Sequence, residues 1–170
     1  VVEGLASSEA RLRELTNGLT PEQWHFREAP ELWSVADNLE HLALFEGFIL
    51  GKINEALALP PEPSKKAAAI PKESLVLDLA NTRDRKLQAR EAVRPTGRWS
   101  DPAVLLNQLH EARSRTIAFA AETEADLRSH FFAHIAFGDI DCCQWLIVLA
   151  QHSFRHAQQI EETLSRARTC

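Results

Sequence analysis

Over residues 35–57 the apolar side chains Val35, Leu39, Leu42, Phe45, Ile49, Ile53 and Ala56 recur at intervals of three and four. That spacing lines one face of an α-helix. A seam of this length commits the chain to packing helix on helix, and other stretches repeat it. Ser34 is placed to cap the 35–57 helix, and Pro60, Pro61 and Pro63 end it, since proline cannot donate a helical hydrogen bond. Asp101-Pro102 opens a third long helix through Val104, Leu105, Leu109, Ile117 and Phe119 to about Thr123, with an N-cap followed by proline at the first helical position. Asp139 or Asp141 caps a fourth that reaches about Arg168, and residues 3–18 form a first, with a thin apolar face of Leu5, Leu12 and Leu15 before Gly18. Thr20-Pro21-Glu22-Gln23 has the spacing of a capping box and predicts a single helical turn. Residues 72–92 carry a weaker helical pattern inside a long crossover between helices 2 and 3. No stretch reads as a strand. These features predict an all-α fold, a four-helix bundle in one domain over residues 1–170.

Composition narrows the function. Nineteen Lys and Arg against 24 Asp and Glu give a formal net charge of −5, and without a basic block there is no footprint for nucleic acid. No apolar run approaches the roughly 18 residues needed to span a bilayer, and the N-terminus lacks a basic flank leading into an apolar stretch. A chain that neither spans a membrane nor is secreted is expected. Three cysteines, two of them the neighbours Cys142 and Cys143, draw no disulfide framework and point to a cytoplasmic location. There is no phosphate-cradling glycine loop, no G-x-S-x-G and no H-E-x-x-H, so the familiar hydrolytic motifs are missing.

The histidines carry the chemistry. Along the fourth helix Cys142, Trp145, Leu149, His152, His156, Ile160 and Thr163 follow one another every three or four residues, which puts two imidazoles in the core stripe. Residues four apart lie about 40° apart and roughly 6 Å along a helix, so His152 and His156 can offer both rings to one ion. Bonds to side chains such as Gln151 or Gln159, or a partly wet face, would also satisfy them. His41 is the best third ligand, seven residues after Ser34 and on the face of Phe45 and Phe48; a polar residue flanking the core is its alternative. His110, next to Glu111, reads as a solvated pair, and His25 as a loop residue. His130 and His134 read as loop or rim, with His134 able to line a pocket. Cys142 lies ten residues before His152, about 15 Å along the axis, too far to share its ion. Trp24, Trp33, Trp99 and Trp145 read as core and loop anchors.

Leu19-Thr20-Pro21-Glu22-Gln23-Trp24, then Trp33-Ser34 and His41-Leu42, together with Ala133-His134-Ile135-Ala136-Phe137-Gly138, Gln144-Trp145-Leu146, His152, His156 and Gln159-Ile160-Glu161-Glu162, resemble the DinB-like (YfiT-type) four-helix-bundle superfamily. The resemblance spans nearly the whole chain. It implies an up-down-down-up bundle, often a homodimer, with a nickel- or zinc-type ion held by His41, His152 and His156. Characterised members of that superfamily include transferases of low-molecular-weight thiols, such as bacillithiol transferases, and a mycothiol-dependent maleylpyruvate isomerase. Two positions depart from its pattern: Ser153, where relatives often carry a carboxylate, and Ile135, where many have proline. The expected function is therefore metal-dependent transfer of a thiol to a small electrophile, or hydrolysis through metal-bound water, with His134 or Gln159 orienting a small-molecule substrate. The alternative is a non-catalytic metal-stabilised bundle that binds a small ligand or partner.

Overall fold

A computed structural model of the chain describes residues 1–80 and 88–167. Four long helices dominate it: α1 (Val2–Thr16), α3 (Val35–Leu57), α6 (Pro102–Glu122) and α7 (Cys142–Ala167). Between α1 and α3 lies the short α2 (Pro21–His25), and the crossover carries α4 (Lys66–Ala69) and α5 (Glu73–Leu77). The start signals work as their chemistry requires. Thr20 and Ser34 each accept from the backbone N–H three residues on, while Gln23 and Asp37 reach back to the cap's own N–H. Asp101 accepts from the N–H of Ala103. Of the two candidates for α7, Asp141 is the one used: its Oδ1 accepts from Gln144 N–H at 2.7 Å, and Gln144 Oε1 accepts from Asp141 N–H at 3.0 Å.

Each of α1 and α3 packs against both α6 and α7. Along α1 and α7, Gly4 approaches Ala150 and Arg11 reaches Glu161. Between α3 and α7, Asn38 meets His156 and His41 meets His152. The apolar interior falls into two clusters. One gathers Leu12, Trp24, Val35, Leu39, Leu42, Leu105, Leu109, Ile160 and Leu164. The other holds Leu5, Ile49, Ile53, Val76, Ile140, Trp145, Leu146 and Leu149. Every long helix has a buried polar residue between the stretches it gives to these clusters: Ser8, Glu46, Arg113 and Ser153.

Those four residues meet. The Arg113 guanidinium is 1% exposed and donates to Leu5 O, Ser8 Oγ and Ser153 Oγ, each at 2.8 Å, and to Glu46 Oε2 at 3.0 Å. Its Nε also faces Glu46 Oε1 at 3.0 Å, without hydrogen-bond alignment. One side chain from α6 is thus tied to all three other long helices. Ser153, where the family resemblance leads one to expect an acid, accepts from Arg113, and the carboxylate that meets Arg113 comes from α3.

Two expectations need correction. The chain is mostly helical, but Phe131–His134 (β1) and Gly138–Asp141 (β2) pair as an antiparallel hairpin, Phe131 opposite Asp141 and His134 opposite Gly138. Four-residue strands are too short to show alternation, and Gly138, read as punctuation, takes φ +64° at the turn. Nor is 72–92 one helix. Its described parts form α5 and 3-10 turns at Asp78–Ala80 and Glu91–Val93, and the expectation over 81–87 lies outside the described residues. The rest of the crossover leans on the hairpin: Lys65 pairs with Asp139 at 3.0 Å and Lys72 Nζ donates to Asp139 O at 2.7 Å. Among the described residues no helix is long and apolar enough to cross a membrane.

Candidate metal centre

His41 from α3 and His152 and His156 from α7 converge. One ring nitrogen of each lies within 4.8 Å of the others'. The hydrogen bonds on the far side of two rings show what these nitrogens offer. His41 Nδ1 is 2.8 Å from the Val93 carbonyl; a carbonyl can only accept, so the proton sits on Nδ1 and Nε2 carries a lone pair. His156 Nδ1 lies 2.7 Å from Asn38 Oδ1. The Asn38 amide is oriented by its own Nδ2, which donates to Ser34 O at 2.8 Å, so His156 too is the donor at Nδ1. Such outer partners fix tautomer and ring angle in metal-binding histidines.

His41 Nε2 and His152 Nε2 are 2.9 Å apart. Two imidazole nitrogens at that distance must share one proton or one cation, because two lone pairs or two N–H groups would repel. Burial holds His41 below the ordinary histidine range, partly offset by the bond to Val93. It holds His152 well below that range, reinforced by the charges of His41, Arg155 and His134. Neutral imidazole is the form that ligates, so burial prepares both rings. Aromatic faces frame them: Trp33 stacks on His156 at 5.9 Å and tilts against His41 at 4.9 Å, and Phe45 lies 4.4 Å from His152. Three imidazoles with a ring nitrogen of each this close together could hold a metal ion.

Other candidates fall elsewhere. In the hairpin, Phe132 and His134 share a strand face, and His130 immediately precedes β1. Phe132 stacks on Trp145 at 4.3 Å and His134 tilts against it at 5.1 Å, which turns His134 toward α7. His130 Nδ1 meets Ala56 O at 3.0 Å. Gln159 lies in α7, where its backbone carbonyl accepts from Thr163 Oγ1. His110 pairs with Glu9 of α1 at 2.8 Å rather than with Glu111, which accepts from Asn107. His25 is exposed. Cys142 is a buried core residue, and burial with the neighbouring Asp141 charge pushes its thiol up to about 12. Asn38, Val93 and Glu46 escaped the sequence reading. Asn38 had a signal: it stands three residues before His41 and so on the same side of α3.

Burial, with the charge of Arg90 added, pushes His134 down to about 4. An unfolded histidine takes its proton near pH 6.5, so between pH 6.5 and 4 the unfolded chain binds more protons at this position and the fold loses stability as pH falls. Urea titrations across that window are expected to show a shallower loss for His134→Gln than for the parent. Parallel curves would mean that His134 titrates alike in both states.

The fold is thus a helical bundle with a three-histidine cluster between two of its long helices that could hold a metal ion. The chain belongs to the DinB superfamily, whose model matches residues 5–160. It is also similar to the uncharacterized protein YuaE of Bacillus subtilis (strain 168), at 24% identity over 157 residues, 91% of this chain and 93% of that protein.

Proposed function

We propose that the chain is a metal-dependent enzyme that transfers a low-molecular-weight thiol to a small electrophile, with hydrolysis as the near variant of the same chemistry. The observation that carries this reading is the convergence of His41, His152 and His156 on one point, two of the rings with their Nδ1 protons tied to outer acceptors. A nickel- or zinc-type ion there would lower the pKa of a thiol or water at its open position and so supply a nucleophile near neutral pH. The protein's own part is to hold the three imidazoles, to wall the centre with Trp33 and Phe45, and to orient the incoming substrate through His134 or Gln159.

The test exploits the preference of a zinc- or nickel-like ion for thiolate over water. Cobalt-substituted protein is titrated with cysteine, glutathione and bacillithiol while its visible spectrum is followed, and conjugation of each thiol to a generic electrophile is assayed. A spectral shift with a metal-dependent rate is expected. A spectrum indifferent to every thiol, with no rate, refutes the transferase reading.

We further infer a single up-down-down-up bundle domain over residues 1–170. The pairings of Gly4 with Ala150 and Arg11 with Glu161, and of Asn38 with His156 and His41 with His152, support that order. Three cysteines that draw no disulfide framework support a cytoplasmic setting, and an acidic balance without a basic block supports no nucleic-acid or membrane partner. Analogy to the family supports a homodimer, so light scattering at micromolar concentration should return about twice the 19.1 kDa of the chain. A value near the single-chain mass refutes the dimer.

A further inference from the structure

Glu40 precedes His41 in α3 and is 2% exposed. Its carboxylate is taken up by the loop that closes the crossover. Oε1 accepts from Thr96 N–H at 2.9 Å, the Thr96 hydroxyl at 3.3 Å and Arg98 Nε–H at 3.1 Å, and Oε2 accepts from Gly97 N–H at 2.8 Å. Four donors come from three consecutive residues. Gly97 takes φ +74°, a conformation L-residues rarely adopt and one that turns successive N–H groups toward a common anion. Three residues before Thr96 stands Val93, buried, whose carbonyl accepts from His41 Nδ1. Neighbours in α3 thus grip near-neighbours in the crossover at two points. A carboxylate withdrawn from water persists only with its donors in place, so the loop cannot leave α3 without stranding Glu40.

We propose that Glu40 is a positioning residue for the metal centre. By holding residues 96–98 against α3 it keeps the Val93 carbonyl where it fixes His41 in the Nδ1–H tautomer, with the Nε2 lone pair toward His152 and His156. The tautomer does not depend on the metal reading; its consequence for the ion rests on that reading.

The deciding measurement is the His41 tautomer in metal-free protein, from long-range proton–nitrogen correlation spectra. The parent is expected to show Nδ1–H. Glu40→Gln, which sets an amide against donors, and Gly97→Val, which disturbs the same loop and leaves the sequence of α3 unchanged, should both move the ring toward Nε2–H. The core variant Leu109→Ala, destabilised for unrelated reasons, should keep the parent tautomer. Cobalt titration then reads the consequence: about tenfold or more weaker binding in the two loop variants, the usual scale for losing an outer partner of a ligand, and parent affinity in Leu109→Ala. An unchanged tautomer in both loop variants overturns the proposal, however much their melting temperatures fall. A parent that binds no cobalt refutes the metal reading and leaves the tautomer result to decide.

Discussion

Arg113→Met is expected to cost about 3–5 kcal/mol, because it leaves the Glu46 carboxylate buried without its cation. At 3% exposure for the Glu46 side chain and 1% for Arg113, neither charge has water to fall back on. The serine hydroxyls tolerate the change better, since Ser8 still donates to Leu5 O and Ser153 to Leu149 O. In a chain of this size each kcal/mol moves the melting temperature by roughly 2–4 °C, so a fall of about 6–20 °C should be seen by calorimetry or circular dichroism. Adding Glu46→Leu to Arg113→Met removes the stranded anion, and the double variant should recover most of the loss. A single variant within about 1 kcal/mol of the parent would show that the pair adds little to the fold.

This polar layer shows where the sequence can be read and where it cannot. Long seams such as Val35 to Ala56 are visible because periodicity is a local property, and so are the caps at Thr20, Ser34 and Asp101, whose partners lie two or three residues away. Arg113 is different. Its partners Leu5, Ser8, Glu46 and Ser153 are scattered over three other helices, and in one dimension it looks like any charge on a helix. The polar positions could be found only by asking what interrupts each seam once the helices are set side by side. The β1–β2 hairpin was hidden for another reason, since strands of four residues give periodicity too few repeats to register.

The histidine centre was legible in part. His152 and His156 share a helix, so their spacing alone brings them together, and α3 supplies His41 through an ordinary tertiary contact that the seam of Leu39, Leu42 and Phe45 foreshadows. The groups that hold the rings lie beyond such reasoning. Val93 acts through a backbone carbonyl, to which any residue type could contribute, and it sits at the end of a crossover whose path no local pattern dictates. The His110–Glu9 bond was missed likewise, because α1 and α6 meet only in the folded bundle.

His152→Ala is expected to abolish stoichiometric divalent metal binding while the bundle stays folded. Structural zinc sites bind with roughly 10–16 kcal/mol through four ligands, or about 2.5–4 kcal/mol per ligand. At 1.4 kcal/mol per decade, losing one imidazole should weaken binding by roughly 10²–10³-fold, enough to empty the site on dialysis. The fold should survive, because the substitution removes a desolvated imidazole and leaves no buried charge; His41 keeps its bond to Val93 and His156 its bond to Asn38. Metal analysis of protein purified without an affinity tag checks the first claim and circular dichroism the second. His110→Ala and His25→Ala serve as matched controls, since one histidine pairs with Glu9 and the other is exposed, and both should retain the parent's metal content. Full occupancy in His152→Ala would mean that the ion is held elsewhere, and the 2.9 Å approach of His41 to His152 would then be a shared proton within the core rather than half of a ligand set.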